Sequence, residues 1–372
     1  MDTLERQVDT AVIVGRWQVF HRGHETLLRA ALRAGARVVV VIGSAFRSRD
    51  VRNPFTAAER EAMIRATLSP EDSARLHCLP VRDYFDDARW NAAVRAGVEA
   101  LVGAPQRIAL LGFHKDASSY YLDHFPAWAY IPVAREFDID ATALREQFFS
   151  QGADGAQLSL GKTADAGQEQ IRPGAAAAPD PLQRPVAYPL AASVSAPVQH
   201  YLRRWAQGPE FVQCARAQQA VFAQRERWGR TPRLTAHVLL QHADRILLVQ
   251  RPDAMALGSW ALPGELVQGD EAALAAALRA LREQAGVILS EDDANAARAG
   301  SRVFDHPLRS ALGPWSSHTL YLQLGPLWQG ATGDSTQAWP VVWVPLAELP
   351  LWEDRLFEDH AAMLDAFVGL YP

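Results

Sequence analysis

The sequence predicts an α/β protein in two parts, an N-terminal doubly wound parallel sheet followed by an α+β domain with a mixed sheet. Three observations carry this. Ala11–Val14 and Arg37–Ile42 are β-branched apolar runs, and between them Leu27, Leu28, Ala31 and Leu32 form one helical stripe. That is the order of a βαβ unit, and its unbroken apolar strands imply a sheet covered on both faces. From Gln151 to about Pro189 the composition shifts to Gly, Ala, Pro, Gln and Asp, which cannot bury enough surface to order itself. After Thr231-Pro232, Leu234–Leu240 and Ile246–Val249 flank a polar turn, the pattern of a β-hairpin.

The remaining elements come in order along the chain. Glu25–Ala34 is a helix that Gly35 stops. Apolar runs at Leu76–Pro80, Ile108–Gly112 and Ala129–Val133 alternate with helical stretches near 59–68 and 88–102, so the first sheet closes near Ser150. Val194–Arg227 reads as helical, and Asp270–Gln284 is a helix rich in Ala and Leu. Val303–Phe304, Thr319–Leu324 and Val341–Val344 supply later strands, and Leu356–Val368 a closing helix. The expected division is a first domain over 9–149, a flexible linker over 150–193, and a helical lead-in with the second domain over 194–372.

Composition narrows the function. A chain of 372 residues with 49% hydrophobic and 21% charged content has the profile of a soluble globular protein. A net charge of −5 argues against a general nucleic-acid binder, which needs a basic face. Cys78 and Cys214 are too few for a disulfide framework or a thiolate zinc site, which fits a reducing cytoplasm. Met1–Thr10 lacks the apolar core of a signal peptide, and no apolar run approaches the ~20 residues of a membrane span. A cytoplasmic protein with no membrane partner is expected; a homo-oligomer is compatible with the sequence, which does not decide it.

The first strand runs through Gly15-Arg16-Trp17-Gln18-Val19-Phe20-His21-Arg22-Gly23-His24 directly into a helix. A helix N-terminus presents unpaired N–H groups and a positive dipole, which suits a bound phosphate. Two imidazoles three residues apart can face that site and donate to phosphate oxygens as charge builds. An isolated H-x-x-H would more simply cap a helix; the strand before it, the glycine within it and the helix after it favour function.

Those residues resemble the His-x-Gly-His turn of the α/β nucleotidyltransferases, and in wording the archaeal-type nicotinamide mononucleotide adenylyltransferases. Three more segments match in order. They are Gly43-Ser44-Ala45 with Arg47, Arg49 and Asn53-Pro54-Phe55-Thr56; Gly112-Phe113-His114-Lys115-Asp116 with Ser118-Ser119-Tyr120-Tyr121; and Ile139-Asp140-Ala141-Thr142 with Arg145. The resemblance covers about 10–148 and implies a Rossmann-like fold that joins ATP to nicotinamide mononucleotide with Mg²⁺. It assigns His21, His24 and Arg145 to catalysis on the triphosphate. It assigns Gly15, Arg16, Gln18, Arg49, Asn53, Trp90, Gly112, His114, Lys115, Asp116 and Thr142 to substrate binding. Trp90 keeps two readings, stacking on the nicotinamide ring or core packing. Lys115 is one of only two lysines, with Lys162, in an arginine-rich chain, which favours a point-charge contact. Thr56-x-x-Glu59 is a capping box, and Asp140 stands where the family usually has Ser.

Residues 234–290 resemble a Nudix domain. Leu247–Arg251 and Gly258–Gly264 match the approach to its box, and the spacing from Glu271 to Arg279 is intact. The box places carboxylates at i, i+3 and i+4 of one helix to hold Mg²⁺ on a diphosphate. Here Ala280 and Gln284 replace two of the three, leaving Glu283 with Glu271, and Glu265 as a substitute from a loop. Phe304-Asp305-His306-Pro307-x-Arg309 and Leu356–His360 resemble the ADP-ribose pyrophosphatase branch. The expectation is a Nudix fold with weak or absent hydrolysis. Full bifunctionality toward ADP-ribose and a regulatory binding module stay open at this point.

Overall fold

The computed structural model describes residues 7–103, 106–113, 124–150, 190–229, 231–256, 258–326, 328 and 339–371. They fold into two compact units. The first takes the described residues of Met1–Gly43, Phe55–Val81 and Ala88–Ala215; the second takes those of Ser44–Pro54, Arg82–Asp87 and Arg216–Pro372.

In the first unit the strands are β1 (Val8–Gly15), β2 (Gly35–Ile42), β3 (Leu76–Pro80), β4 (Ile108–Gly112) and β5 (Ala129–Pro132). They form one sheet in the order β3-β2-β1-β4-β5, with every pairing parallel. The connecting helices are α1 (Arg22–Ala34), α2 (Ala57–Arg65), α3 (Pro70–Ala74), α4 (Asp87–Val102) and α5 (Ala141–Ser150). Val12, Ile13 and Val38–Val41 are fully buried, as strands covered on both faces must be. The strand order reverses between β1 and β4, which opens a crevice at the carboxyl ends of those strands.

Gly35 ends α1 as expected, but for a different reason. Its φ of −111° is extended, not left-handed, and β2 begins at once with no loop. A Cβ there would lie 2.6 Å from the Arg37 carbonyl and 2.7 Å from the Ala11 nitrogen, so space excludes any larger residue.

Two short helices, α6 (Leu190–Ser193) and α7 (Ala196–Trp205), also belong to the first unit. The sequence places Leu190–Ser193 within the linker and α7 in the lead-in to the second domain; the structure corrects both. Trp205 explains where α7 sits: its ring centroid lies 4.7 Å from that of Phe55, and its indole N–H donates to Glu59 at 2.7 Å. The continuous helix expected over Val194–Arg227 breaks at Ala206–Gly208, and α8 (Pro209–Trp228) comes next. Of the expected linker, Ser150 ends α5 and residues 151–189 lie outside the described residues.

The second unit holds β6 (Arg233–His242), β7 (Arg245–Gln250), β8 (Trp260–Ala261), β9 (Gly264–Leu266), α9 (Ala273–Ala285), α10 (Glu291–Ala296), β10 (Arg298–Phe304), β11 (Trp315–Leu324), β12 (Val341–Pro345) and α11 (His360–Val368). Its mixed sheet runs β10-β11-β6-β7-β12, with β8 on β7 and β9 on β6. Alternation along β6 and β7 feeds two cores. Val238, Leu240, Leu247 and Val249 meet α9, while Leu239, Ile246 and Leu248 meet α11. The expected closing helix starts only at His360, because Leu346–Arg355 is a 3₁₀ segment and Leu356 bridges to Trp260. The α9 helix starts at Ala273 rather than Asp270, because Glu271 is used in a turn with Gln268.

Candidate active site

The site in the first unit is built on the turn between β1 and α1. His21 is the N-cap of α1, and its Nδ1 accepts the His24 N–H at 3.4 Å. The His24 Nδ1 accepts the His21 N–H in return, also at 3.4 Å. The two rings stack with centroids 3.6 Å apart. With Nδ1 as acceptor in each, a neutral ring carries its proton on Nε2. Capping and function therefore use different nitrogens of the same rings, so the sequence's two readings are compatible.

A cleft of about 210 Å³ opens against these rings. It is lined by the β1–α1 turn (Arg16, His21, Gly23, His24), by Phe113 after β4, and by 133–137 and 139–142 after β5. These are the carboxyl ends of β1, β4 and β5, the crevice that the strand order creates. Arg16 and Arg135 bring positive charge to the rim, and Asp140 and Glu136 bring carboxylates. The Asp140 carboxylate accepts the Thr142 N–H at 2.8 Å, so it serves the start of α5.

Of the expected residues, His21, His24, Arg16 and Thr142 line the cleft together. Gly15 and Gly112 end β1 and β4, their carbonyls accepting from Gly43 and Val133 at 2.9 and 2.8 Å. Gln18 is buried, and its amide makes two hydrogen bonds with the Phe55 backbone at 2.8 and 3.0 Å, so it fastens the turn to the next segment. Arg145, expected on the triphosphate, is 3% exposed. Its guanidinium bonds the Gln18 carbonyl and the Thr142 hydroxyl, holding the turn from beneath.

Asn53 and Arg49 belong to the second unit's share of the chain. Asn53 donates from its backbone and side chain to Asp50 at 2.7 and 3.2 Å, and Arg49 donates to the Pro54 carbonyl at 2.6 Å. Trp90 lies in the first turn of α4 and is not among the cleft's lining residues. His114, Lys115 and Asp116 lie outside the described residues. Thr56 and Glu59 form the expected capping box on α2.

Sequence reasoning gave no role to three contributors, of which Arg60 stood in the matching motif only as a quoted residue. Arg60, 1% exposed, donates to the carbonyls of Arg16 and Gly43 at 2.8 and 2.6 Å and ties the ends of β1 and β2. Arg135 and Phe137 line the cleft from the β5–α5 loop. Their position after a parallel strand was the available signal.

In the second unit the degenerate box has a definite structure. The Gln284 amide accepts the Gly264 N–H at 3.1 Å and donates to the Gly264 carbonyl at 2.9 Å. A carboxylate could accept the first bond but not donate the second. Gly264 is fixed from its other side too, since a Cβ there would overlap the His237 ring at 1.9 Å. Glu271 pairs with Arg279 at 2.7 Å, Glu265 accepts its neighbour Leu266's N–H at 3.0 Å, and Glu283 is about half exposed beside Arg282. Ala280 is fully buried in the core. Among the described residues no three acidic, His or Cys side chains gather as metal ligands. Glu283 and Glu271, the residues expected to hold Mg²⁺, both act on the Arg279 guanidinium, and among the described residues they belong to no group of three ligands that would make a Nudix metal cage.

Comparison with known proteins places both units. The cytidylyltransferase-like family model matches residues 12–146, and the NUDIX domain model matches 231–367. A nicotinamide/nicotinic acid mononucleotide adenylyltransferase of Acinetobacter baylyi is 37% identical over 142 residues, covering 38% of this chain and 76% of that protein. A nicotinamide-nucleotide adenylyltransferase of Thermoplasma acidophilum is 36% identical over 91 residues, 24% of this chain and 51% of its own. A solved structure from Francisella tularensis, a bifunctional NMN adenylyltransferase/ADP ribose pyrophosphatase complexed with AMP and a Mn ion, matches with a TM-score of 0.77. It is 25% identical, and the match covers 96% of this chain and 98% of that one.

Fold, cleft and comparisons together define an enzyme of the nucleotidyltransferase class that carries a NUDIX domain. More narrowly, the chain belongs to the nicotinamide mononucleotide adenylyltransferase family. Among the described residues no helix is long and apolar enough to cross a membrane.

Proposed function

We propose that the first unit transfers AMP from ATP to nicotinamide mononucleotide, giving NAD and pyrophosphate. One observation carries this reading: the stacked His21–His24 pair at the N-terminus of α1, facing a cleft at the sheet's switch point. A 5′-phosphate oxygen of the mononucleotide attacks the α-phosphorus of ATP, the bond to the β-phosphate oxygen breaks, and pyrophosphate departs in line. Such transfer needs positioning and charge stabilisation rather than a covalent intermediate. The Nε2–H groups of His21 and His24 donate to triphosphate oxygens, with the α1 dipole behind them. Thr142 and Arg16 take part from the cleft wall, and Arg145 keeps the turn in place through Gln18. Magnesium enters as the counter-ion of the triphosphate substrate.

Arg49, Asn53 and Trp90 are proposed for the mononucleotide and His114, Lys115 and Asp116 for the nucleotides, on the motifs alone. The second unit is proposed to retain the NUDIX fold without hydrolysing ADP-ribose, because Gln284 spends both ends of its amide on Gly264. The chemistry and the absence of a membrane-length helix among the described residues are compatible with cytoplasmic residence.

The test is one protein in two assays. Incubated with ATP, Mg²⁺ and either the amide or the acid mononucleotide, it forms dinucleotide and pyrophosphate; with ADP-ribose and Mg²⁺ it releases no AMP. No dinucleotide from either acceptor overturns the first reading. Sustained AMP release overturns the second and establishes the bifunctional alternative.

A further inference from the structure

Ser44–Pro54 and Arg82–Asp87 fall inside the span matched by the transferase family model, yet both segments pack as part of the second unit. Within that unit they are held by an unusually dense set of arginine contacts. Arg82 makes a two-pronged ion pair with Glu353, with donor distances of 3.0, 3.2 and 3.0 Å. The Tyr371 ring covers the same guanidinium at 3.9 Å. Arg52 donates to the carbonyls of Leu308 and Ser310. The buried Ser48 hydroxyl donates to the Leu356 carbonyl at 2.6 Å. Arg47 ties the two segments to each other, with Asp50 at 2.9 Å and Asp83 at 2.8 Å, and reaches the Glu358 carbonyl at 3.4 Å.

These contacts are not what burial alone selects. A flexible surface loop makes weak, screened ion pairs. Here forked guanidinium bonds to a mostly buried carboxylate and to fixed carbonyls define both direction and distance. The residues so fixed flank Arg49 and Asn53, which the motifs assign to substrate.

We propose that the second unit serves the transfer reaction directly, as the template that holds 44–54 and 82–87 in the shape that accepts the mononucleotide. Glu353 and Tyr371 are positioning residues that act through Arg82. The proposal rests on the transferase reading above. It gives a NUDIX domain without a metal cage a task that its fold performs without hydrolysis.

Two full-length variants test it. Glu353→Gln removes the charge and one acceptor from the Arg82 fork; Tyr371→Ala removes the ring over Arg82 and leaves the second unit's cores intact. Each is expected to raise KM for the mononucleotide by fivefold or more while KM for ATP and kcat stay within twofold. Amide hydrogen exchange across 44–54 and 82–87 should accelerate in parallel. A mononucleotide KM unchanged in both variants overturns the proposal, as does an equal loss toward ATP. If Glu353→Gln does not fold, Tyr371→Ala decides. Failure of the parent reading is distinct, because the unsubstituted protein would then form no dinucleotide at all.

Discussion

His21 and His24 are each other's helix cap: each Nδ1 accepts the other's backbone N–H, and the rings lie face to face at 3.6 Å. The two rings are held by hydrogen bonds to each other's backbone, the kind of preorganisation that charge stabilisation in a transition state requires. His24→Ala is expected to lower kcat by about 10²–10³-fold. Steady-state kinetics at saturating ATP and mononucleotide measure it, and an undiminished kcat would remove His24 from the chemistry.

Arg145 offers a choice between two roles that one measurement separates. Arg145→Met leaves the Gln18 carbonyl and Thr142 hydroxyl without their donor and should destabilise the unliganded protein by about 1.5–3 kcal/mol, the worth of charged hydrogen bonds. Thermal unfolding without ligand reads this directly. An unchanged Tm with crippled transfer would return Arg145 to the triphosphate.

Gln284→Glu should be destabilising rather than activating. The new carboxylate meets the Gly264 carbonyl, acceptor against acceptor, at a cost of about 1–3 kcal/mol for the unsatisfied group. Denaturant titration of the full chain checks the loss. A variant as stable as the parent would show that the double bond to Gly264 matters little.

His237 and His360 lie in the second unit with ring centroids 4.9 Å apart. Burial lowers the His237 pKa to about 3, helped by Arg309 and Arg251, and burial lowers that of His360 in the same direction. Both rings therefore stay neutral in the folded protein while the unfolded chain takes up protons below about pH 6.5. Each lowered histidine contributes stability that is present above pH 6.5 and is lost as pH falls, by up to about 1.4 kcal/mol per pH unit. Two-dimensional NMR of the imidazole nitrogens should show neither ring titrating between pH 8 and 5.5. A protonation midpoint near 6.5 for either ring contradicts the burial argument.

The sheet of the first unit was legible because Val12, Ile13 and Val38–Val41 are apolar without alternation, a pattern that a doubly covered parallel sheet produces. The His-x-Gly-His turn was legible for a local reason: cap, glycine and helix are contiguous in sequence. The structural contact of Arg145 was not legible because its partner, the Gln18 carbonyl, is a backbone group 127 residues away, and no side-chain pattern announces a carbonyl. Likewise Trp205 and Glu59 are 146 residues apart, so composition grouped α7 with its neighbour α8 rather than with the α2 cap it touches. The departure from the box carboxylates was visible in Ala280 and Gln284; the bond pair that Gln284 makes depends on Gly264 lying across the helix, which spacing alone does not reveal.

The arginines of 44–54 and 82–87 also limit how this protein could be recombined. A second half taken from a relative would have to supply carbonyls where Leu308, Ser310 and Leu356 now offer them and a carboxylate where Glu353 stands. A graft joined at the Gly- and Ala-rich stretch 151–189 that ignored those four acceptors would leave Arg52, Arg82 and Ser48 facing strangers. Composition marks one seam in the chain, and hydrogen bonding marks another.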